Sequence, residues 1–367
     1  MADPRTVKMA EVLVHYSLEV KPGDHFVINA KTVAEPLIRE VYRAGLRTGA
    51  HVTPYLSFDD FGAIRIRESN DAQLTHISKT ERVLLDETTK SLHILGDQNS
   101  KNMSGANSEK MAKSSRARAE LSHQMMERAA AGDLKWCVTL FPTQAQAQDA
   151  GMSLADYEDF VYCACLLDQD DPVQGWQRVA QSQQKIADRL KAYDEIHITA
   201  PGTDLTYRVG GRHWVSANGK TNFPDGEVFT GPIENSVNGT VQFTYPAIFR
   251  GTAVEGIQLT FQEGKVVKAT AQRGQDFLDK MLETDDGARY VGEVAFGLNY
   301  GIQRFTHQIL FDEKIGGTMH MALGAAYPET GGVNKSGLHW DMICDLHAGS
   351  VHADGKLIYQ YGRFLLD

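Results

Sequence analysis

The second half of this 367-residue chain places histidines and carboxylates inside segments too apolar to leave them in open water. In "GLHWDMICDL" (337–346), a two-residue strand period puts Leu338, Trp340, Met342 and Cys344 on one side, and His339, Asp341, Ile343 and Asp345 on the other. In "TMHMALG", Met319, Met321 and Leu323 share one face and His320 and Ala322 the opposite one. In "VGEVAFG", strict alternation places Glu293 with Val291 and Ala295, against Gly292, Val294 and Phe296. Glu227 follows an Asp225-Gly226 turn, Asp312 and Glu313 follow the apolar run "ILF", and Tyr327 precedes Pro328. A buried charge is costly without a partner, so these groups require one another or a cation.

Singly, each has an ordinary reading. Glu227 is a solvated turn residue, Glu293 lies on the solvent face of an edge strand, and His320 is a satisfied core histidine. Asp312 and Glu313 end a helix or loop, and Tyr327 packs. Their combination argues otherwise. Two imidazoles and at least four carboxylates in one glycine-rich region match the oxygen and nitrogen ligands of Zn, Co, Mn or Mg. The set includes no cysteine, which argues against a closed structural zinc site. Two such ions about 3.5–4 Å apart activate a water and polarise a carbonyl or phosphoryl group. Donor composition alone leaves peptide, amide and phosphate hydrolysis open.

Other chemistries lack their motifs. There is no HExxH and no GxSxG elbow, although a dispersed triad is not removed by spacing. "TGGVNKSG" has Asn334 where a phosphate loop needs glycine before its lysine. No GxGxxG follows a strand, which leaves no ground for a dinucleotide site.

The elements that must position these groups fall into two regimes. Of 33 glycines, 24 lie beyond residue 200. Before that point "HFVINA", "HVTPYLSF", "SLHILGD" and "LKWCVTLFP" read as strands. They alternate with helices in "MAEVLVHYSLEV", "EPLIREVYRAGLRTGA" (Leu37, Ile38, Val41 and Leu46 near one face), 108–131 and "LADYEDFVYCACLL". Such alternation predicts an α/β domain with a mostly parallel sheet flanked by helices. A helix near 174–192 leads into hairpin-like strands from "DEIHITAPGTDLTYRV" onward, with "EGK" as a turn and "GQDFLDKML" as a short helix. The expected division is 1–193 as α/β scaffold and 194–367 as a Gly-rich α+β domain, with mixed or antiparallel strands carrying the metal site.

A net charge of −10 argues against nucleic acid as a partner. The N-terminal segment is amphipathic and charged, unlike a signal peptide, and no run reaches the about 18 apolar residues of a membrane span. Four cysteines without a CxxC pair fit a reducing cytoplasm.

Taken in order across roughly residues 222–341, "NFPDGEVFTGP", "VGEVAFG", "FDEKIGGTMHMALGAAYP" and "LHWD" resemble the M29 metallo-aminopeptidases, the thermophilic aminopeptidase T/S family. The resemblance implies a cytoplasmic homodimer that removes N-terminal residues from short peptides with two divalent ions (Zn, Co, Mn or Mg). By motif, Glu227, Glu293, Glu313, His320, His339 and Asp341 are the implied metal ligands, one carboxylate bridging, and Tyr327 is the active-site tyrosine. The mechanism expected is attack of an activated water on the scissile carbonyl. Tyr327 stabilises the oxyanion, and Glu293 is the candidate proton shuttle. His339 and Asp341 are expected to share a metal and not to be paired only with each other. Two rivals use the same residues: a mononuclear-iron ring-opening dioxygenase of a related family, and a non-catalytic peptide or metabolite binder.

Overall fold

The computed structural model describes residues 3–249 and 251–365. Its contacts divide the chain into two compact units, 1–173 with 219–224, and 174–218 with 225–367. This differs from the expected boundary at 193/194 in two places. The helix Pro172–Leu190 buries Ile186, Ala187 and Leu190 in the core of the second unit, so almost all of it belongs there. The short strand Asn222–Phe223 pairs with Val138 and Thr139 and so returns to the first unit.

The first unit is the expected parallel sheet with helices. Five strands run in the order His51–Ser57, His25–Lys31, Lys90–Leu95, Lys135–Leu140, Asn222–Phe223, and all pair in parallel. The helix Glu35–Arg47 buries Leu37, Ile38, Val41, Ala44 and Gly45, while Leu46 is exposed. At about 100° per residue, Leu46 lies half a turn from Leu37, and Gly45 takes the core position against Phe26 instead.

The second unit is built from antiparallel sheets, with no parallel pair among its named strands. An eight-stranded sheet includes the hairpin Glu195–Ala200/Thr203–Arg208 and the pair Gln258–Gln262/Lys265–Thr270, joined through the expected Glu263-Gly264 turn. A five-stranded sheet runs His339–Asp345, Thr318–Gly324, Val291–Gly297, Glu227–Thr230, Val215–Ala217. Trp340, Met342, Met319, Met321, Val294, Phe296 and Val228 of this sheet join residues of the eight-stranded sheet in one continuous core. The even face of the His339 strand is thus apolar and buried, as alternation required.

Glu293 lies on a central strand, not an edge. A bulge changes its neighbours: Val291 pairs with Leu323 and Glu293 with Ala322, so Gly292 is the extra residue. Val291 is thereby turned to the core with Val294 and Phe296, opposite to the expected face, while Glu293 keeps Ala295 beside it. Only glycine fits at the bulge, because a Cβ on residue 292 would lie 2.2 Å from Ala325 O and 2.5 Å from Gly324 O. Gly292→Ala should destabilise the fold by about 1–3 kcal/mol, as overpacking does, and should impair metal uptake by shifting Glu293. Thermal melts and metal analysis of that variant check both; a wild-type melting temperature would show that the bulge absorbs the methyl group.

Candidate metal centre

Four neighbouring strands set the donors on the face opposite the core. Cross-strand pairing puts Asp341 against Ala322, and Ala322 against Glu293, in one row. The next row runs through His320 and Ala295, and Glu227 pairs with Gly297 one strand further. Small residues therefore separate the acids, giving them room to converge. Glu227 is fixed at the turn by Gly226, at φ +131°, where a Cβ would lie 2.7 Å from Asn299 Cβ. Leu298 N donates to Gly226 O (2.8 Å) and Asn299 Nδ2 to Asp225 O (2.8 Å). Gln183, in the amide orientation that satisfies both partners, donates to Ala217 O (3.0 Å) and accepts from Glu227 N (2.9 Å).

Both histidines are oriented in the same way. His320 Nδ1 meets Glu313 O at 2.9 Å and His339 Nδ1 meets Ala325 O at 2.9 Å. A carbonyl only accepts, so Nδ1 carries the proton and Nε2 is turned toward the carboxylates. His320 Nε2 lies 3.6 Å from Glu227 Oε2 and 3.5 Å from Glu293 Oε1. His339 Nε2 lies 3.3 Å from Glu293 Oε2 and 3.5 Å from Asp341 Oδ1. His339 and Asp341 are thus not paired with each other alone. These separations are long for hydrogen bonds. They suit ligands around a shared tetrahedral cation, for which bonds of about 2.0–2.1 Å set neighbouring donors roughly 3.3 Å apart.

Two donor triads result, Glu293–His339–Asp341 and Glu313–His320–Asp341, each with its ligand atoms within 4.8 Å of one another. Glu227 Oε2 is buried without a hydrogen-bond partner, as a carboxylate oxygen awaiting a cation would be. On these grounds the residues fit a divalent-metal site.

The charges point the same way. Burial pushes the Glu227 carboxyl up to about 8, only partly offset by Lys314 and His320. Burial also raises Glu313. Burial opposes ionisation of Asp341, but contact with His339 brings it down to about 2. Burial disfavours both imidazolium ions, yet Glu293 and Glu227 lift His320 to about 10, and Asp341 and Glu293 lift His339 to about 11. Tyr327 stacks edge-on against His339 (5.1 Å between centroids) and beside Phe229 (5.6 Å). Burial and the nearby carboxylates hold its phenol protonated, able to donate.

All seven expected residues therefore meet, except that Tyr327 stays partly exposed at the margin. Sequence reasoning passed over three others. Lys314 is fully buried, contacts Glu313 and stands 3.7 Å from Glu227 Oε1. Its place directly after Glu313 was the available signal. Gln183 gave none, being one of several glutamines in an amphipathic helix. Asp312, expected at a solvated helix or loop end, is instead buried, accepting from Thr306 N (2.7 Å) and Oγ1 (2.8 Å) and bracing the loop that carries Glu313.

A family profile described as thermophilic metalloprotease (M29) matches residues 2–364. The chain belongs to the M29 family. It is 30% identical to aminopeptidase 2 of Geobacillus stearothermophilus, over 95% of this chain and 94% of that one. It is 26% identical to aminopeptidase AmpS of Bacillus subtilis, with the same two coverages. The fold superposes on AmpT from Thermus thermophilus with a TM-score of 0.87 at 24% identity, covering 98% of this chain and 99% of that one. The expected enzyme class is borne out: this M29 metalloprotease has aminopeptidases for relatives. No helix among the described residues is long and apolar enough to cross a membrane.

Without metal, the folded chain holds protons on His320 and His339 up to about 10 and 11, against 6.5 for an unperturbed histidine. That stability is complete below 6.5 and is lost as pH rises through the folded values. Glu227, held protonated to about 8 against 4.5, loses stability in the same direction from 4.5 upward. Metal-stripped protein should therefore melt at progressively lower temperature from about pH 6.5 to 10. Zinc-saturated protein should escape that fall, because metals take the deprotonated donors. A flat profile for the stripped protein would contradict this electrostatic picture.

Proposed function

We propose that this M29 metalloprotease is an aminopeptidase that uses two divalent ions (Zn, Co, Mn or Mg) to remove N-terminal residues from short peptides. The ions would be held by Glu227, Glu293, Glu313, His320, His339 and Asp341. The observation that carries this reading is the meeting of two donor triads at one carboxylate, Asp341. Asp341 belongs to both triads and Glu293 reaches both histidines, so these two carboxylates would be the ones able to serve both ions. When bound, the ions supply Lewis acidity, polarising the scissile carbonyl and acidifying a water.

The chain's own residues supply the rest. His320 and His339 are locked by their Nδ1 hydrogen bonds, so the donor face is organised before substrate arrives. Glu293 lies between both histidines and can accept the proton of the attacking water and return it to the departing amine. The Tyr327 hydroxyl donates to the oxyanion.

The dioxygenase reading is not favoured. A mononuclear iron site uses two histidines and one carboxylate, and would leave the remaining buried acids without a role. A pure binder would have no use for so many converging acids. The homodimer and cytoplasmic location implied by the resemblance are part of this proposal, as is the absence of nucleic-acid and membrane partners. Light scattering of the purified protein tests the dimer.

Hydrolysis of leucine and arginine amides, extended to a panel of N-terminal residues, should be abolished by chelator and restored by metal. Glu227→Ala and His320→Ala should abolish turnover while the parallel sheet stays folded. Tyr327→Phe should lower kcat by about 10²–10³ with metal retained. Normal turnover in both alanine variants with metal still bound would sink the assignment, as would one iron per chain with oxygen uptake.

A further inference from the structure

Lys314 gives the two donor triads different electrostatics. Its side chain has no exposed surface, so it does not touch substrate. Its ammonium contacts Glu313 Oε1 and lies 3.7 Å from Glu227 Oε1. The backbone on either side is fastened, with Lys314 N donating to Phe311 O (3.0 Å) and Asn299 N donating to Lys314 O (3.1 Å). The loop that carries the ammonium is thus tied on both sides. By contrast, the ion-pair partners found for Glu293 and Asp341 among the described residues are histidines.

Histidine and lysine are not equivalent here. An imidazole has a ring nitrogen to offer a metal, whereas an ammonium has only donors and occupies the carboxylate lone pairs that it contacts. A divalent ion entering the Glu313–His320–Asp341 triad meets a carboxylate already engaged by Lys314. It also meets like-charge repulsion that burial leaves poorly screened. An ion entering Glu293–His339–Asp341 meets histidines and no ammonium at contact distance.

We infer that Lys314 makes the two metal positions unequal: Glu293–His339–Asp341 fills first and tightly, and Glu313–His320–Asp341 fills second and weakly. The inference rests on the metal-centre reading above and adds to it an order of filling and a residue that sets it. Lys314 acts as a positioning residue. It substitutes for part of the missing positive charge when only one ion is bound, keeping Glu227 and Glu313 together.

Chelator-treated full-length protein titrated with Zn²⁺ tests this by calorimetry and by ¹H–¹⁵N spectra of labelled histidines, assigned with His320→Gln and His339→Gln. The first equivalent should give His339 the large Nε2 shift of metal ligation, and His320 only the smaller change of a neighbour losing charge on Glu293. The second should bind at least about tenfold more weakly and move His320. Lys314→Met should bring the two steps within about threefold of each other, with both histidines responding together. Equal steps in the native protein, or His320 responding first, would overturn the inference while leaving the two-metal reading intact. A folded Lys314→Met protein that keeps the full gap would also overturn it. Should that variant not fold, the order of histidine response in the native protein decides alone. No zinc uptake by the native protein would overturn the metal-centre reading and this inference with it.

Discussion

The convergence of four acidic side chains, two buried and two half-buried, is the constraint around which the second unit is organised. Glu227 and Glu293 are buried and Glu313 and Asp341 half-buried where they converge, and such a cluster requires compensating charge. Compensation is supplied in layers. Two imidazoles face the acids, and one ammonium stands behind Glu313 and Glu227. Glu227 Oε2 nevertheless has no hydrogen-bond partner, its nearest cation being His320 Nε2 at 3.6 Å. A divalent ion is the partner that would complete the compensation.

The antiparallel sheet is what makes the convergence reproducible. Neighbouring strands hold opposed residues at a fixed spacing, so acids on alternate strands face the same side across a small residue. Ala322 between Asp341 and Glu293 is such a spacer. The opposite face of the same strands carries Trp340, Met319, Met321 and Phe296 into the core, and burial of those side chains holds the donor face in register. A one-residue slip would exchange core and site, so apolar packing enforces one pairing.

Loops complete what the strands begin. Glu313 comes from a loop braced by Asp312 on Thr306, and Glu227 from a turn fastened to Leu298 and Asn299. Close backbone approach at Gly292 and Gly226 admits no side chain, so the two glutamates nearest them are placed by steric exclusion as much as by hydrogen bonding. The family relatives and the shared fold accord with this architecture as a peptidase scaffold.

Much of this was legible in the amino-acid sequence. Alternation by itself separated Trp340 and Met342 from His339 and Asp341, because side chains of a strand must point to opposite faces. The helix–strand rhythm of the first 170 residues implied a parallel sheet, since parallel neighbours need crossover connections. Short motifs in fixed order singled out the acids and histidines that the fold brings together. Tertiary structure decided what periodicity cannot encode. The Gly292 bulge reversed the face assigned to Val291, because a bulge depends on the partner strand. The helix Pro172–Leu190 joined the second unit and Asn222–Phe223 the first, because membership follows which core buries a segment and not where it lies in the chain. Lys314 is enclosed only by folding. Its role exists only because Glu227, 87 positions away in sequence, is brought within 3.7 Å by the pairing of distant strands.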